Sequence, residues 1–140
     1  MLTEQECELM NAFSKGTMME TLGMKFVPTD DEFVVVDMPI SSANIQHKGI
    51  VHGGAYLTMA ETAAGAGSLH IAGLDAQVCG IDVAGNHVHM SPLSGTVTAR
   101  ASIIHAGHTI HVWNVDIFDE QQNLLSTVRV VNRILIQQQS

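Results

Sequence analysis

The chain has 140 residues, enough for one domain with a hydrophobic core, and 46% of them are hydrophobic. Its formal net charge is −8, and its six Lys and Arg residues form no basic cluster interleaved with aromatic residues, which disfavours nucleic-acid binding. No apolar run is long enough to span a bilayer, and the N-terminus has no signal-peptide pattern. We therefore expect a cytoplasmic protein without membrane contact.

The N-terminal part of the chain predicts one helix, one strand and a loop. An acidic, moderately amphipathic pattern indicates a helix from about Thr3 to Thr21, so that residues 1–22 form a helical segment beside the domain. The apolar run from Phe33 to Met38 predicts a strand that ends before Pro39, and residues 41–51 form the loop that follows.

An apolar helix rich in small residues is predicted next, from about Gly54 to His70, with Gly73 ending it. Apolar residues lie on nearly every side, which is typical of a buried helix. Glu61 lies in its middle, so we expect the carboxylate to be buried or half buried. Because burial of an isolated carboxylate is costly, its presence indicates a function. The alternative is a Glu whose head group reaches solvent.

A polar turn, His52-Gly53-Gly54, directly precedes that helix. The unpaired amides of a helix N-terminus carry the positive end of the helix dipole and can polarise a carbonyl oxygen. Two glycines remove the side chains that would keep a substrate away from the backbone, as an oxyanion site requires. Gln46 and His52 add hydrogen-bonding side chains. Taken alone the tripeptide is weak evidence, because a structural tight turn has the same sequence.

Four strands are predicted after the helix, with turn signals between the later ones. Short connections predict that these strands form an antiparallel meander. The predicted strands are Val78–His89, Gly95–Ala106, Thr109–Phe118 and Leu124–Ile136. Residues 137–140 are predicted to be a frayed tail, and we expect a single domain over residues 1–140.

No metal site and no disulfide are predicted. Cys7 and Cys79 fit no metal or redox spacing, and we expect buried free thiols. His87 and His89 share one face of a predicted strand, but no carboxylate or cysteine lies nearby at ligand spacing.

The segment from Gln46 to Glu61 resembles the PaaI-like branch of the hotdog-fold acyl thioesterases. That pattern reads Gln, a short loop with Gly, His-Gly-Gly, and then Asp or Glu on the central helix. This chain has Gln46, Gly49, His52-Gly53-Gly54 and Glu61 at the family's spacing. Weaker similarity extends from about Gly23 to Ile136. The resemblance implies an α+β hotdog fold, in which an antiparallel sheet wraps around the central apolar helix.

The resemblance also implies an acyl-CoA thioesterase acting on aromatic or medium-chain acyl groups. Glu61 would act as a general base on water or as a nucleophile, and both routes stay open. The amide of Gly53 or Gly54 would bind the oxyanion. Gln46 would orient the water or the carbonyl, and His52 would position the thioester or hold the turn. No cofactor is implied beyond the coenzyme A of the substrate.

The family forms homodimers, and dimers of dimers, whose sheets join edge to edge with the acyl site at the dimer interface. By that resemblance, Gln46 and the His52-Gly53-Gly54 turn would come from one subunit and Glu61 from the other. A monomer would then be inactive.

Further residues are expected around the substrate. These substrate-binding candidates are Tyr56, Met59, Gly65, His89, Met90, Ser91 and His108. Many relatives carry Ser or Thr at the position of Gly65, and basic residues at the positions of Ser91 and His108. The missing basic residues and the net charge of −8 weaken the case for binding CoA phosphates, so a carrier-protein thioester stays open.

Two other functions remain as alternatives. A hotdog hydratase or dehydratase would pair a His with a carboxylate on an enoyl thioester, and the Gly-Gly turn followed by Glu61 fits a thioesterase better. A non-catalytic acyl-thioester-binding module would have no need for a carboxylate base at that position.

Overall fold

The computed structural model of the chain describes residues 1–136, so the predicted tail at 137–140 lies outside the described residues. In chain order the elements are α1 (Glu4–Phe13), α2 (Met18–Leu22), β1 (Lys25–Val27), β2 (Val34–Pro39), α3 (Gly53–Ala72), β3 (Ala76–His87), β4 (Thr96–Ala106), β5 (Ile110–Phe118) and β6 (Leu124–Ile136). Across residues 1–136, no helix is long and apolar enough to cross a membrane.

The helix α3 is the element against which the sheet packs, and it contacts β2 and every strand from β3 to β6. Ala60, Ala63 and Ala64 are fully buried on it, because small side chains let the strands approach closely. The helix begins at Gly53, one residue before the predicted start. It ends before Gly73, as predicted.

The six strands form one antiparallel sheet in the order β1-β2-β4-β5-β6-β3. The predicted meander is confirmed for β4, β5 and β6. It is wrong for β3, which pairs with β6 at the far edge of the sheet. The physical reason is that β2 already occupies the free side of β4, so the connection after β3 must cross the sheet.

The predicted N-terminal helix is two helices, which is a correction to the sequence analysis. The chain leaves the helical conformation after Ser14, and Gly16 has a φ of 76°, a left-handed value that glycine adopts at little cost. Thr17 then caps α2, because its side chain accepts a hydrogen bond from the Met19 amide at 3.2 Å. The short strand β1 was not predicted, because three residues are too few to show the alternation of apolar and polar residues that indicates a strand.

Both cysteines are free thiols in the structure. Cys7 is buried as expected, and burial raises the pKa of its thiol. Cys79 was expected to be buried and is instead exposed, because it lies on the edge strand β3, which has one neighbouring strand among the described residues.

The close packing of α3 on the sheet is clearest at Trp113 of β5, whose side chain is fully buried. A Cβ atom at Gly67 would lie 2.3 Å from Cη2 of Trp113, so only glycine fits there. The next helical residue, Ser68, accepts a hydrogen bond from the indole Nε1 at 2.9 Å. The indole is therefore held by a contact and a hydrogen bond from consecutive helical residues.

We expect Gly67→Ala to destabilise the protein by about 1–3 kcal/mol, because the added methyl group overlaps the Trp113 ring in a packed core. Gly65→Ala on the same helix is the matched control. A Cβ atom there meets nothing within 4 Å, and alanine favours the helix by up to about 1 kcal/mol. Urea unfolding of both variants measures the difference. Equal stabilities would contradict this account of the packing.

Candidate active site

The loop before α3 is fixed by Asn44, a residue that the sequence analysis did not single out. Asn44 is buried, and its Nδ2 donates to the carbonyl oxygens of Leu22 and Pro39, both at 2.9 Å. Its own carbonyl accepts from the His52 amide at 2.9 Å. This anchor fixes the point at which the chain enters the His52-Gly53-Gly54 turn.

The two glycine amides of the turn differ in their hydrogen bonding. The Gly54 amide donates to Nδ1 of His52 at 2.8 Å, so His52 caps the helix. The Gly53 amide has no hydrogen bond to any part of the chain that the structure describes. The amide of Gly53 is therefore the one that is open to an oxyanion.

Gly53 lines a cavity of about 330 Å³, which we call the turn cavity. It is lined by Gln46, Ile50, Val51, Gly53, Tyr56, His87, Val88, His89, Met90 and Ser91. Five residues that were predicted to bind the substrate or to act beside the turn thus lie together with Gly53. They are Gln46, Tyr56, His89, Met90 and Ser91. Glu61 does not line this cavity.

Loop contacts constrain two of these side chains. Oε1 of Gln46 accepts from the Lys48 amide at 2.5 Å, which leaves the Nε2 donor group of Gln46 for other partners. Ser91 is buried, and its Oγ accepts from the Val51 amide at 2.9 Å and donates to the Pro92 carbonyl at 2.8 Å. Ser91 therefore fixes the loop rather than presenting a free hydroxyl.

Tyr56 lines the turn cavity, and its hydroxyl is buried. The hydroxyl has no hydrogen-bond partner within residues 1–136. Burial raises the pKa of the phenol. The Tyr56 and His87 rings lie 5.4 Å apart, centre to centre.

His87 is a site residue that the sequence analysis considered only for a metal. A Cβ atom at Gly53 would lie 2.6 Å from its Nε2, so the ring lies directly against the turn. Its Nδ1 is 2.8 Å from Oγ of Ser126, which donates to the Asn86 carbonyl at 3.3 Å. That network assigns the proton to Nδ1 and leaves Nε2 as an acceptor beside Gly53. No group of three or more metal-ligating side chains occurs among the described residues.

Glu61 lines a second cavity, of about 380 Å³, which we call the helix cavity. Its side chain is exposed in the single chain, so the expectation of burial is wrong here. The reason is its position over the edge strand: a Cβ atom at Gly80 would lie 2.2 Å from Oε1 of Glu61. A β-bulge between Gly80 and Asp82 lies at the same point. The absence of a side chain at Gly80 gives the carboxylate its room.

The remaining predicted residues divide between the cavities and other parts of the fold. Gly65 lines the helix cavity together with Glu61. Met59 was expected to line the acyl site, but it is fully buried in the core between α3 and the sheet. His108 is exposed in the turn between β4 and β5 and lines neither cavity.

The open amide and the carboxylate lie too far apart to act on one carbonyl within a single chain. Gly53 and Glu61 are both on α3, and eight residues of helix span about 12 Å along its axis. A reacting carbonyl needs hydrogen-bond contact with its oxyanion donor and near contact with the base. Within one chain, the Gly53 amide and the Glu61 carboxylate therefore cannot belong to the same reaction site.

Known proteins share this sequence and this fold. The model of the Thioesterase superfamily matches residues 48–126. The putative esterase ComA2 of Bacillus subtilis (strain 168) is 38% identical over 116 residues, which are 82% of this chain and 91% of that protein. The 1,4-dihydroxy-2-naphthoyl-CoA hydrolase of Escherichia coli (strain K12) is 33% identical over 129 residues, 91% of this chain and 93% of that protein. The crystal structure of a mutant of the thioesterase PA1618 from Pseudomonas aeruginosa matches with a TM-score of 0.88 and 30% identity, covering 92% of this chain and 93% of that chain.

The chain belongs to the thioesterase superfamily. Its antiparallel sheet around α3 is the hotdog fold, as predicted from the sequence. The predicted enzyme class, a thioester hydrolase, is likewise confirmed.

The cap formed by His52 yields a prediction about stability. His52→Ala removes the acceptor of the Gly54 amide and should lower the free energy of unfolding by about 1 kcal/mol. His52→Asn restores a side-chain acceptor at the cap and should recover most of that loss, measured by urea unfolding. If thioesterase activity stays low in the stable His52→Asn variant, His52 also contacts the substrate. Recovery of neither stability nor activity would contradict the capping role.

Proposed function

We propose that this enzyme hydrolyses acyl-CoA thioesters with an aromatic or medium-chain acyl group, in a site shared by two subunits. The observation that carries the proposal is that the Gly53 amide and the Glu61 carboxylate line different cavities of one chain. Each cavity holds one half of a hydrolytic site. A second copy of the chain would bring the two halves together.

The oxyanion half of the mechanism rests on Gly53. Attack on the thioester carbonyl turns its oxygen into an oxyanion, and the free Gly53 amide at the N-terminus of α3 would donate to that oxygen. Two further residues with side-chain donors, Tyr56 and Gln46, also line the turn cavity. These groups would orient the carbonyl or the attacking water.

Glu61 would carry out the proton transfers or the nucleophilic attack. In the first route, Glu61 takes a proton from water as the water oxygen bonds to the carbonyl carbon. Collapse of the tetrahedral intermediate breaks the carbon–sulfur bond, and Glu61 returns the proton to the leaving CoA thiolate. In the second route, a Glu61 oxygen bonds to the carbonyl carbon, CoA leaves as the thiolate, and water then hydrolyses the anhydride.

The edge strand β3 supports a dimer as the form that completes the site. Most of its twelve residues are exposed, including Ile81, and Val88 directly after the strand is exposed too; such an exposed edge favours pairing with a partner strand. A second copy that pairs antiparallel along β3, centred between Val83 and Ala84, would put Gly80 opposite the partner subunit's His87. Because Glu61 lies over Gly80 and Gly53 lies against His87, each pairing would unite one carboxylate with one open amide.

Fewer residues of this chain are suited to binding the CoA part of the substrate than to binding its acyl part. Ser91 and His108 stand where relatives carry basic residues, and the hydrogen bonds of Ser91 are used within its own loop. The similarity to a 1,4-dihydroxy-2-naphthoyl-CoA hydrolase supports CoA over a carrier protein. An acidic carrier would also face the chain's net charge of −8.

Removal of the carboxylate should abolish most hydrolysis. Glu61→Gln is expected to lower thiol release from a panel of aromatic and medium-chain acyl-CoAs by about 10²- to 10⁴-fold, since it removes the base or nucleophile. Glu8→Gln, which alters an exposed glutamate on α1, is the matched control and should keep native activity. Full activity in a folded Glu61→Gln variant would refute the mechanism. No thiol release from any ester by the native enzyme would favour the binding-module alternative.

Subunit mixing tests whether the site is shared. Glu61→Gln and Gly53→Val are each expected to be inactive, the second because its side chain would strike the His87 ring. In random mixed dimers one site would have an intact Gly53 and an intact Glu61, so mixing should restore about a quarter of native activity. The recovered thiol release is measured after joint refolding. If each chain works alone, mixing two inactive variants will restore nothing.

A further inference from the structure

Gly80 of the edge strand β3 lies directly beneath the Glu61 carboxylate. A Cβ atom at Gly80 would lie 2.2 Å from Oε1 of Glu61, 3.0 Å from its Cδ and 3.3 Å from its Cγ. Apart from the chain neighbours of Gly80, these are the three nearest heavy atoms to that Cβ position. The closest contacts of a side chain at residue 80 would therefore all be made with Glu61.

The backbone conformation does not require glycine at residue 80. The φ of Gly80 is not positive, so L-residues with a side chain can adopt the same conformation. Val78 and Val83 occupy the neighbouring positions on the same face of β3, since their partners on β6 are buried. Glycine inside a strand weakens it and often marks a close approach by another group. What the fold uses at Gly80 is the missing side chain.

The β-bulge in β3 is the reason that a glycine occupies this place. The register shifts between Gly80 and Asp82, so that Ile81 is an extra residue without a partner on β6. Alternate residues of a strand face the same side, so an unbroken strand counted back from Val83 would turn Ile81 toward α3. With the bulge, Gly80 takes the inward position, and the Ile81 side chain is 59% exposed.

The other walls of the helix cavity give the carboxylate no polar anchor. Met10, Met18 and Met19 line the cavity from α1 and α2, and their side chains have no hydrogen to donate. Among residues 1–136, the Glu61 carboxylate has no ion pair and accepts no hydrogen bond. The place of the carboxylate against β3 therefore depends on the space above Gly80.

We propose that Gly80 is a positioning residue, which together with the bulge at Ile81 forms a slot in β3 that holds the Glu61 carboxylate in its reactive position. The inference rests on the proposed hydrolysis by Glu61 and adds the requirement that the carboxylate lies against the strand. A methyl group at residue 80 would push Oε1 from 2.2 Å to the 3.4 Å of an ordinary contact, a displacement of roughly 1 Å. Reacting groups must be held to within about 0.5 Å.

The variant Gly80→Ala tests this role. The atom that its methyl group meets first is the free end of a flexible side chain, so the fold should adapt by moving Glu61, and the urea midpoint should stay near the native value. The kcat for thiol release from aromatic and medium-chain acyl-CoAs should fall by about 10- to 100-fold. KM should change by less than about twofold, because the turn cavity is untouched. Cys79→Ala, on the opposite face of the same strand, is the matched control and should keep the native kcat.

A double variant separates positioning of the carboxylate from an effect on the strand. Glu61→Asp shortens the side chain by one methylene group, so that its carboxylate no longer reaches the place of a Cβ atom at residue 80. In the Glu61→Asp background, Gly80→Ala should therefore lower kcat by less than about twofold. If it lowers kcat there by the same factor as in the native chain, the methyl group acts on the strand, and the inference is overturned.

The outcomes separate this inference from the proposed function. A native kcat in Gly80→Ala would overturn the role of Gly80 and leave the thioesterase intact. Failure of Gly80→Ala to fold would also overturn that role, because a flexible side chain that moves aside leaves the fold intact. If the native enzyme releases no thiol from any of the esters, the proposed hydrolysis and the positioning role are refuted together.

Discussion

The packing of one apolar helix inside a curved sheet is the constraint on which the rest of the structure depends. The helix α3 carries alanine and glycine where the strands approach it, and Gly67 lets the Trp113 ring lie against the helix backbone. That contact fixes the rotation of the helix about its axis. The same rotation turns Glu61 outward over Gly80 and points the helix N-terminus at His87.

A single rigid helix thus carries both of the groups that we propose to react, and it keeps them apart. Side-chain motion can move Glu61 by a few ångströms, but the rise of the helix sets a separation of about 12 Å from Gly53 that no rotamer removes. The proposed twofold axis would resolve this conflict, because it would place the far end of one helix beside the near end of another. In this proposal, Glu61 and β3 are both exposed in the single chain because both belong to the interface between subunits.

The sequence predicted the parts of the fold that have long, regular patterns. The limits of α3 and of β4 to β6 follow from apolar periodicity and from glycines such as Gly73, and the Gly53 turn follows from a specific motif. Local patterns do not specify which strand lies next to which, so the place of β3 was missed. The exposure of Glu61 was also missed, because Glu61 lies over β3, and the position of β3 at the edge of the sheet is not a local property of the sequence.

The methionine wall of the helix cavity has a consequence for substrate breadth. Methionine is unbranched, with three rotatable bonds and a polarisable sulfur, so it adapts to irregular shapes at low cost. Met10, Met18 and Met19 can follow the outline of different occupants without moving the backbone that carries them. The helix cavity can therefore accept occupants of different outline while α1, α2 and the sheet keep their positions.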